Sequence, residues 1–178
     1  LNIITSTPLE GCFVLEPQVF GDARGSFMES YNEQKFPVNV HFVQDNQSIS
    51  QKGVLRGLHF QKGEHAQAKL VRVIRGEVLD VAVDIRPGSK TFGQHFSIVL
   101  NATNNKQLFV PRGFAHGFAV LEDDTIFAYK CDNFYNKKAE SGIIYNDPDI
   151  AIDWMLNEEE IILSEKDKLL PNLKTLAL

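Results

Sequence analysis

The run VLRGLHFQKGEHAQAKLVR at 54–72 gathers Arg56, His59, Glu64, His65 and Lys69. Two imidazoles and a carboxylate at such short spacing raise two chemistries, metal ligation and proton transfer. Zinc and iron sites favour three or four His, Cys or carboxylate ligands. Here Gln61 stands where a His-x-His pair would need its second histidine, and Glu64 and His65 follow Lys-Gly, which reads as a turn. A further histidine, His116, lies in PRGFAHGF at 111–118. Two imidazoles with Gln61 and Glu64 are a poor ligand set, so no metal ligand is assigned. A free imidazole titrates near pH ~6.5, which leaves a neutral, proton-accepting fraction at pH 7. That keeps His59 open as a base.

The elements that must position these residues read as strands. Apolar residues recur at period two over 12–16, 26–31, 40–45, 53–60, 69–74, 77–85, 95–100, 107–110, 117–121 and 125–131. Gly53, Gly76, RPGSK at 86–90, NATNNK at 101–106 and PRG at 111–113 punctuate them. In 77–85, Leu79, Val81, Val83 and Ile85 share one face. The other carries Asp80 and Asp84 beside Val78 and Ala82, so it is expected to meet solvent or a wet cavity. On 125–131, Tyr129 shares a face with Phe127 and Cys131, and Lys130 points away. Arg56 and His59 have opposite parity, so a regular strand would send them to opposite faces. If both reach one ligand, the strand bulges, with Gly57 the obvious place, or one residue serves a neighbouring chain.

Helix signals come late. Asn157 with Glu160, and Ser164 with Asp167, have capping-box spacing, and Pro171 follows. ESYNEQKF at 29–36 allows one more turn. No repeat or linker interrupts the chain, so residues 1–178 are expected to form one domain. The fold class is mainly β, a jelly-roll-like antiparallel barrel with a short C-terminal helical segment.

Bulk properties narrow the partners. A net charge of −5 argues against a nucleic-acid surface, though a local Arg/Lys cluster can still serve a small anion. No window approaches the roughly 18 apolar residues of a membrane span. The opening LNIITSTPLEG lacks the pattern of a signal peptide. Leu1 stands where methionine is usual, so a few natural residues are expected to precede it. With two lone cysteines, Cys12 and Cys131, the expectation is a cytoplasmic protein without a disulfide framework.

Several stretches, taken in order, carry a family resemblance: FGDARGSFMESYN (20–32), FVQDNQSIS (42–50), GVLRGLHFQ (53–61), AKLVRVIRGEVLDVAVDIRPGSKTFG (68–93), LFVPRGFAHGF (108–118), YKCDNFY (129–135) and SEKD (164–167). Together they resemble the dTDP-4-dehydrorhamnose 3,5-epimerases. The resemblance implies a cupin-type barrel without metal or other cofactor. It also implies a homodimer acting on a dTDP-linked 4-keto-6-deoxyhexose in dTDP-rhamnose biosynthesis. Protons on C3 and C5 flank the C4 ketone, so removing either gives an enolate, and reprotonation from the opposite face inverts the centre. Such chemistry needs a base, an acid on the other face, and positive charge near the C4 oxygen.

By the same resemblance His59 is the base, Asp167 its orienting carboxylate, Tyr129 the acid and Lys69 the enolate stabiliser. Read as residues alone, Asp167 could simply cap its turn, Tyr129 could be a packed aromatic and Lys69 a solvated lysine. Arg24 and Arg56 match phosphate and nucleotide contacts, where a guanidinium fork suits phosphate oxygens. Glu29, Gln44, Asp45 and Asn46 match positions that bind the nucleotide or shape its pocket, and Glu140 and Lys166 match further ligand contacts. His116 matches a substrate-side histidine, with a buried, hydrogen-bonded histidine as the plainer reading. Phe134 and Tyr135 offer an aromatic face for thymine. Two positions depart from the family: Gln47 stands where histidine is common, and Phe134 where tyrosine is usual. Three other functions remain open at this level. One is a 3-epimerase, or an epimerase of another nucleotide-linked keto sugar. The others are a metal-dependent cupin enzyme and a non-catalytic sugar-nucleotide-binding module.

Overall fold

A computed structural model describes residues 3–177. Its strands follow the β-branched and aromatic runs between turns. They are β1 (Ile3–Ser6), β2 (Phe13–Glu16), β3 (Val19–Asp22), β4 (Gly25–Met28), β5 (Gln44–Ser50), β6 (Leu55–Gln61) and β7 (Lys69–Arg75). Then come β8 (Glu77–Asp84), β9 (His95–Asn101), β10 (Gln107–Val110), β11 (Phe114–Val120), β12 (Thr125–Cys131) and β13 (Glu140–Gly142). A six-stranded sheet runs β1-β2-β10-β7-β12-β5, and a five-stranded sheet runs β13-β6-β11-β8-β9. Neighbours in both are antiparallel, and β3 and β4 pair only with each other.

Alternation along each strand sorts side chains into three apolar layers. Between the sheets, Val71, Val73, Leu108 and Phe127 meet Val78, Ala82, Phe114 and Phe118. Phe118 stacks on Phe127 with ring centroids 4.0 Å apart. Outside the five-stranded sheet, Leu79, Val81, Val83 and Ile85 are covered by Ile143, Ile150, Trp154 and Leu173 of the C-terminal segment. Outside the six-stranded sheet, Phe13, Leu15, Leu70 and Phe109 lie under Tyr31, Phe36, Val40 and Phe42. A fully buried side chain of this size contributes about 1.5–3 kcal/mol. The layers therefore hold the barrel rigid enough to tolerate a polar cavity at one end.

The jelly-roll framework is the expected one, with four differences of detail. The C-terminal helical segment takes the form of single 3₁₀ turns at Glu158–Glu160, Asp167–Leu169 and Leu173–Thr175. The expected strand at 40–45 lies at Gln44–Ser50, and its inward residues are polar because they face the cavity. β1, β3 and β13 occupy stretches with no strand expected. Finally, Asp80 and Asp84 do not meet solvent: both are fully buried. Asp84 is tied off by Arg86, Ser89 and Thr91. Among the described residues, no helix is long and apolar enough to cross a membrane.

Candidate active site

A cavity of about 620 Å³ opens between the two sheets. The five-stranded sheet contributes Arg56 and His59 from β6 and His116 from β11. The six-stranded sheet contributes Asn46 from β5, Lys69 from β7 and Tyr129 from β12. A strap at 162–167 closes one side with Ser164, Lys166 and Asp167. It is held by Leu55 N–H donating to the Ile162 carbonyl at 3.0 Å and Ile162 N–H donating to that of Gly53 at 2.9 Å.

The parity problem of Arg56 and His59 is solved by a bulge. His59 pairs with His116 and Arg56 with Phe118, so three steps on β6 match two on β11. Gly57 sits in the extra step with φ 119°, a region L side chains avoid. The backbones also approach closely there: a Cβ on Gly57 would lie 2.7 Å from Gly117 Cα. Two facing glycines let Arg56 and His59 address one cavity.

Asp167 sits at the start of its turn, but its carboxylate is used elsewhere. Ser164 Oγ accepts the Asp167 N–H at 3.1 Å, completing only half of a capping box. Asp167 Oδ1 lies 2.6 Å from His59 Nε2, and Oδ2 accepts the Gly57 N–H at 3.3 Å. Burial alone would raise this carboxyl. The His59 hydrogen bond and charge, the Gly57 N–H and the Lys166 charge outweigh burial and hold it below the ordinary range. An ionised carboxylate only accepts, so His59 Nε2 must carry the proton it donates. The lone pair is then on Nδ1, which no described residue occupies. A base held in one tautomer is the result.

Tyr129 and Lys69 stand on the opposite wall. Burial first, and then the Cys131 charge, push the Tyr129 phenol above its ordinary range against the opposing pulls of Arg56 and Asn46, so it remains a proton donor at neutral pH. Lys69 Nζ lies 5.7 Å from the Tyr129 ring centroid and makes no hydrogen bond or ion pair with a described residue. Burial draws this ammonium below the ordinary lysine range, opposed by the charges of Cys131, Asp80 and Glu140. An unpaired, half-buried cation at a cavity wall is suited to a developing oxyanion. Arg56 is steadied by its Nη2 donating to Ser50 Oγ at 3.2 Å.

A hydrogen-bonded rim flanks the cavity. Lys166 pairs with Glu140 at 2.6 Å, and Tyr135 Oη donates to Glu140 at 2.8 Å. Tyr135 N–H donates to Gln44 Oε1 at 2.9 Å, and Gln44 Nε2 donates to Asn46 Oδ1 at 3.2 Å. Asp45 points outward to Lys130 at 2.9 Å. Phe134 and Tyr135 are 64% and 54% exposed beside the rim rather than in the cavity. Arg24 and Glu29 are not brought to the cavity at all. Arg24 projects from the β3–β4 hairpin against Asp22, and Glu29 pairs with Lys35 at 2.9 Å. Gln61 is spent on structure, its amide donating to the His65 and Phe134 carbonyls and accepting from Asn136 N–H. Glu64 and His65 form a 3₁₀ turn. Among the described residues, no three His, Cys, Asp or Glu side chains could hold a metal ion. Sequence reasoning missed Asp80, which lies behind His116 with its Oδ1 2.8 Å from Nε2. The signal was a charged residue recurring within an otherwise apolar strand.

The model of the family described as dTDP-4-dehydrorhamnose 3,5-epimerase matches residues 6–175. The chain belongs to this family. Among its dTDP-4-dehydrorhamnose 3,5-epimerase relatives, that of Escherichia coli (strain K12) is 52% identical over 172 residues, covering 94% of this chain and 92% of the relative. The crystal structure of the Elizabethkingia anophelis NUHP1 epimerase superposes with a TM-score of 0.94 at 55% identity, covering 97% of each chain. That of the 3,5-epimerase from Legionella pneumophila Philadelphia 1 was determined in complex with dTDP-4-keto-L-rhamnose. It has a TM-score of 0.94 at 46% identity and covers 99% of this chain and 95% of its own.

Proposed function

We propose that this protein epimerises C3 and C5 of dTDP-4-dehydro-6-deoxy-D-glucose, giving dTDP-4-dehydro-L-rhamnose for dTDP-L-rhamnose biosynthesis. One observation carries the reading: His59, oriented by Asp167 at 2.6 Å, faces an un-ionised Tyr129 across one cavity, with an unpaired Lys69 beside that tyrosine. His59 Nδ1 removes the proton next to the ketone, and the electron pair moves onto the C4 oxygen, where Lys69 meets it. Tyr129 then delivers a proton from the opposite wall, inverting the centre. The protons left on His59 and missing from Tyr129 are restored through solvent. The same arrangement serves C3 and C5 because both flank one carbonyl.

Arg56, pinned by Ser50, holds the diphosphate, with Asn46, Gln44, Tyr135, Glu140 and Lys166 along the nucleotide path. Phe134 and Tyr135 present open ring faces to thymine, and Asp45 shapes the outer edge through Lys130. Arg24 and Glu29 complete the site of a second copy in a homodimer. The support is the β3–β4 hairpin itself, whose Phe20 and Phe27 are 56% and 70% exposed. A lone two-stranded hairpin is marginal in water and needs a surface to pack on. Two buried, unpaired thiols fit a reducing compartment, which we take to be the cytoplasm.

The test is incubation with the 4-keto sugar nucleotide in deuterium oxide, followed by NMR. Deuterium at both C3 and C5, with inversion, is expected. Deuterium at C3 alone would make the protein a 3-epimerase, and none at either carbon would overturn the catalytic reading.

A further inference from the structure

The acid of the proposed reaction ends its proton transfer as a phenolate, and a side-chain amide is aimed at it. Tyr129 on β12 faces Asn46 on β5 in the cross-strand register, and both line the cavity. The direction of the Asn46 amide can be followed inward from the rim. A backbone N–H only donates, so the Tyr135 N–H makes Gln44 Oε1 the acceptor at 2.9 Å. Gln44 Nε2 is then left to donate to Asn46 Oδ1 at 3.2 Å. Asn46 Nδ2 is thereby turned to β12, where it donates to Cys131 Sγ at 3.8 Å. Burial pushes the neighbouring Tyr129 phenol up, and Asn46 pulls it back as a hydrogen-bond donor. A donor behind the phenol oxygen leaves that oxygen's own proton free for the cavity. The relay starts at the backbone of the residue whose ring the proposed function gives to thymine.

Resting on the epimerase reading, we infer that Asn46 is a positioning residue for the acid Tyr129, with Gln44 fixing the direction of its amide. When the sugar carbon is reprotonated, the enolate electrons form the new C–H bond and the Tyr129 O–H bond breaks. The pair from that bond stays on the phenol oxygen. The Asn46 amide donates to the new charge and keeps its own protons. Phenols ordinarily ionise near pH ~10, and burial raises this one further. Without the amide, Tyr129 would be a slower acid at neutral pH.

The test reads the fate of the enolate in deuterium oxide. Abstraction by His59 sets exchange and delivery from Tyr129 sets inversion, so their ratio is blind to affinity and to the fraction folded. Asn46→Ala should lower the ratio of inversion to exchange about tenfold, as for one hydrogen bond to a group gaining charge. Gln44→Met keeps the shape of the side chain one step further from the phenol, and should lower the ratio about two- to fivefold. Asn46→Ala combined with Tyr129→Phe should show the ratio of Tyr129→Phe alone. An unchanged ratio in either single variant overturns the proposal, and a raised KM beside it would mark residues that only bind nucleotide. A double variant that falls below Tyr129→Phe overturns it too, because Asn46 would then act through another group. Fluorotyrosine-labelled protein gives a reading without turnover. The fluorine NMR line of Tyr129, assigned by its loss in Tyr129→Phe, should ionise at higher pH in both single variants. Cys131, Arg56, Glu140 and Lys69, which also act on or lie beside the phenol, stay in place in both. A midpoint that does not move in either variant defeats the proposal. Wild-type protein that takes up no deuterium defeats the epimerase reading instead, and the titration then decides the role of Asn46 alone.

Discussion

The cavity and the β3–β4 hairpin both carry charged residues matched to a nucleotide-sugar ligand, but they hold them differently. In the cavity the functional side chains outside the 162–167 strap spring from strands buried on at least one face. Their positions are fixed by register, as with His59 opposite His116 and Tyr129 opposite Asn46. On the hairpin every residue but Met28 is exposed, and among the described residues Arg24 pairs with Asp22, two residues away. Under the proposed function, this difference means that the reaction centre is built within one chain and part of the ligand grip is left for assembly.

The hardest test of the cavity half is His59→Asn. Loss of a positioned base should lower C–H exchange by about 10²–10⁴-fold. dTDP affinity should change little, because Arg56 and the rim are untouched. Exchange that survives in the purified variant would remove His59 as base. Tyr129→Phe should do less and do it differently. Proton abstraction persists, so deuterium still enters the substrate, but it returns to the original face. The ratio of inversion to exchange should fall about 100-fold by NMR, and an unchanged ratio would move the acid elsewhere.

The hairpin half is broken by Arg24→Ala, expected to weaken dTDP binding about 10–100-fold, one lost charge-assisted phosphate contact being worth roughly 1.5–3 kcal/mol. Mixing Arg24→Ala chains with His59→Asn chains should then restore activity. In the mixed dimer one site has His59 from the first chain and Arg24 from the second. If mixing restores nothing while light scattering shows a dimer, Arg24 does not cross to the partner.

Legibility follows the same division. The barrel could be read from Val/Ile/Phe alternation, since period two dictates which residues share a face. The crowding of Arg56 and His59 around Gly57 could be read too, because opposite parity cannot be reconciled without a bulge. β5 was displaced in the reading because QDNQSIS alternates polar residues toward a cavity rather than apolar residues toward a core. The late 3₁₀ turns could not be told from helices. The Ser164–Asp167 spacing is the same for both, and the Asp167 carboxylate is drawn away to β6. Asp80 was hidden because a charge on an apolar strand normally signals solvent. The buried imidazole that partners it lies 36 residues away. Arg24 and Glu29 were legible only by likeness, as the chain does not bring them to its own cavity.

The smallest effect is on stability, and it concerns how the cavity fastens its strap. Asp167 has its carboxyl lowered from 3.8 in the folded protein. A group with a depressed folded pKa stabilises above its unfolded value and loses that contribution as pH falls through the folded one. The Tm gap between wild type and Asp167→Asn should therefore hold steady from about pH 7 to about pH 5, then close as pH drops below 3.8. Asparagine keeps an acceptor for the Gly57 N–H, so the pH-dependent part of the gap reports charge rather than shape. A gap that persists unchanged to about pH 2.5 would mean the strap is held by its backbone bonds to Gly53 and Leu55 alone. In that case the carboxylate would serve His59 without serving the fold.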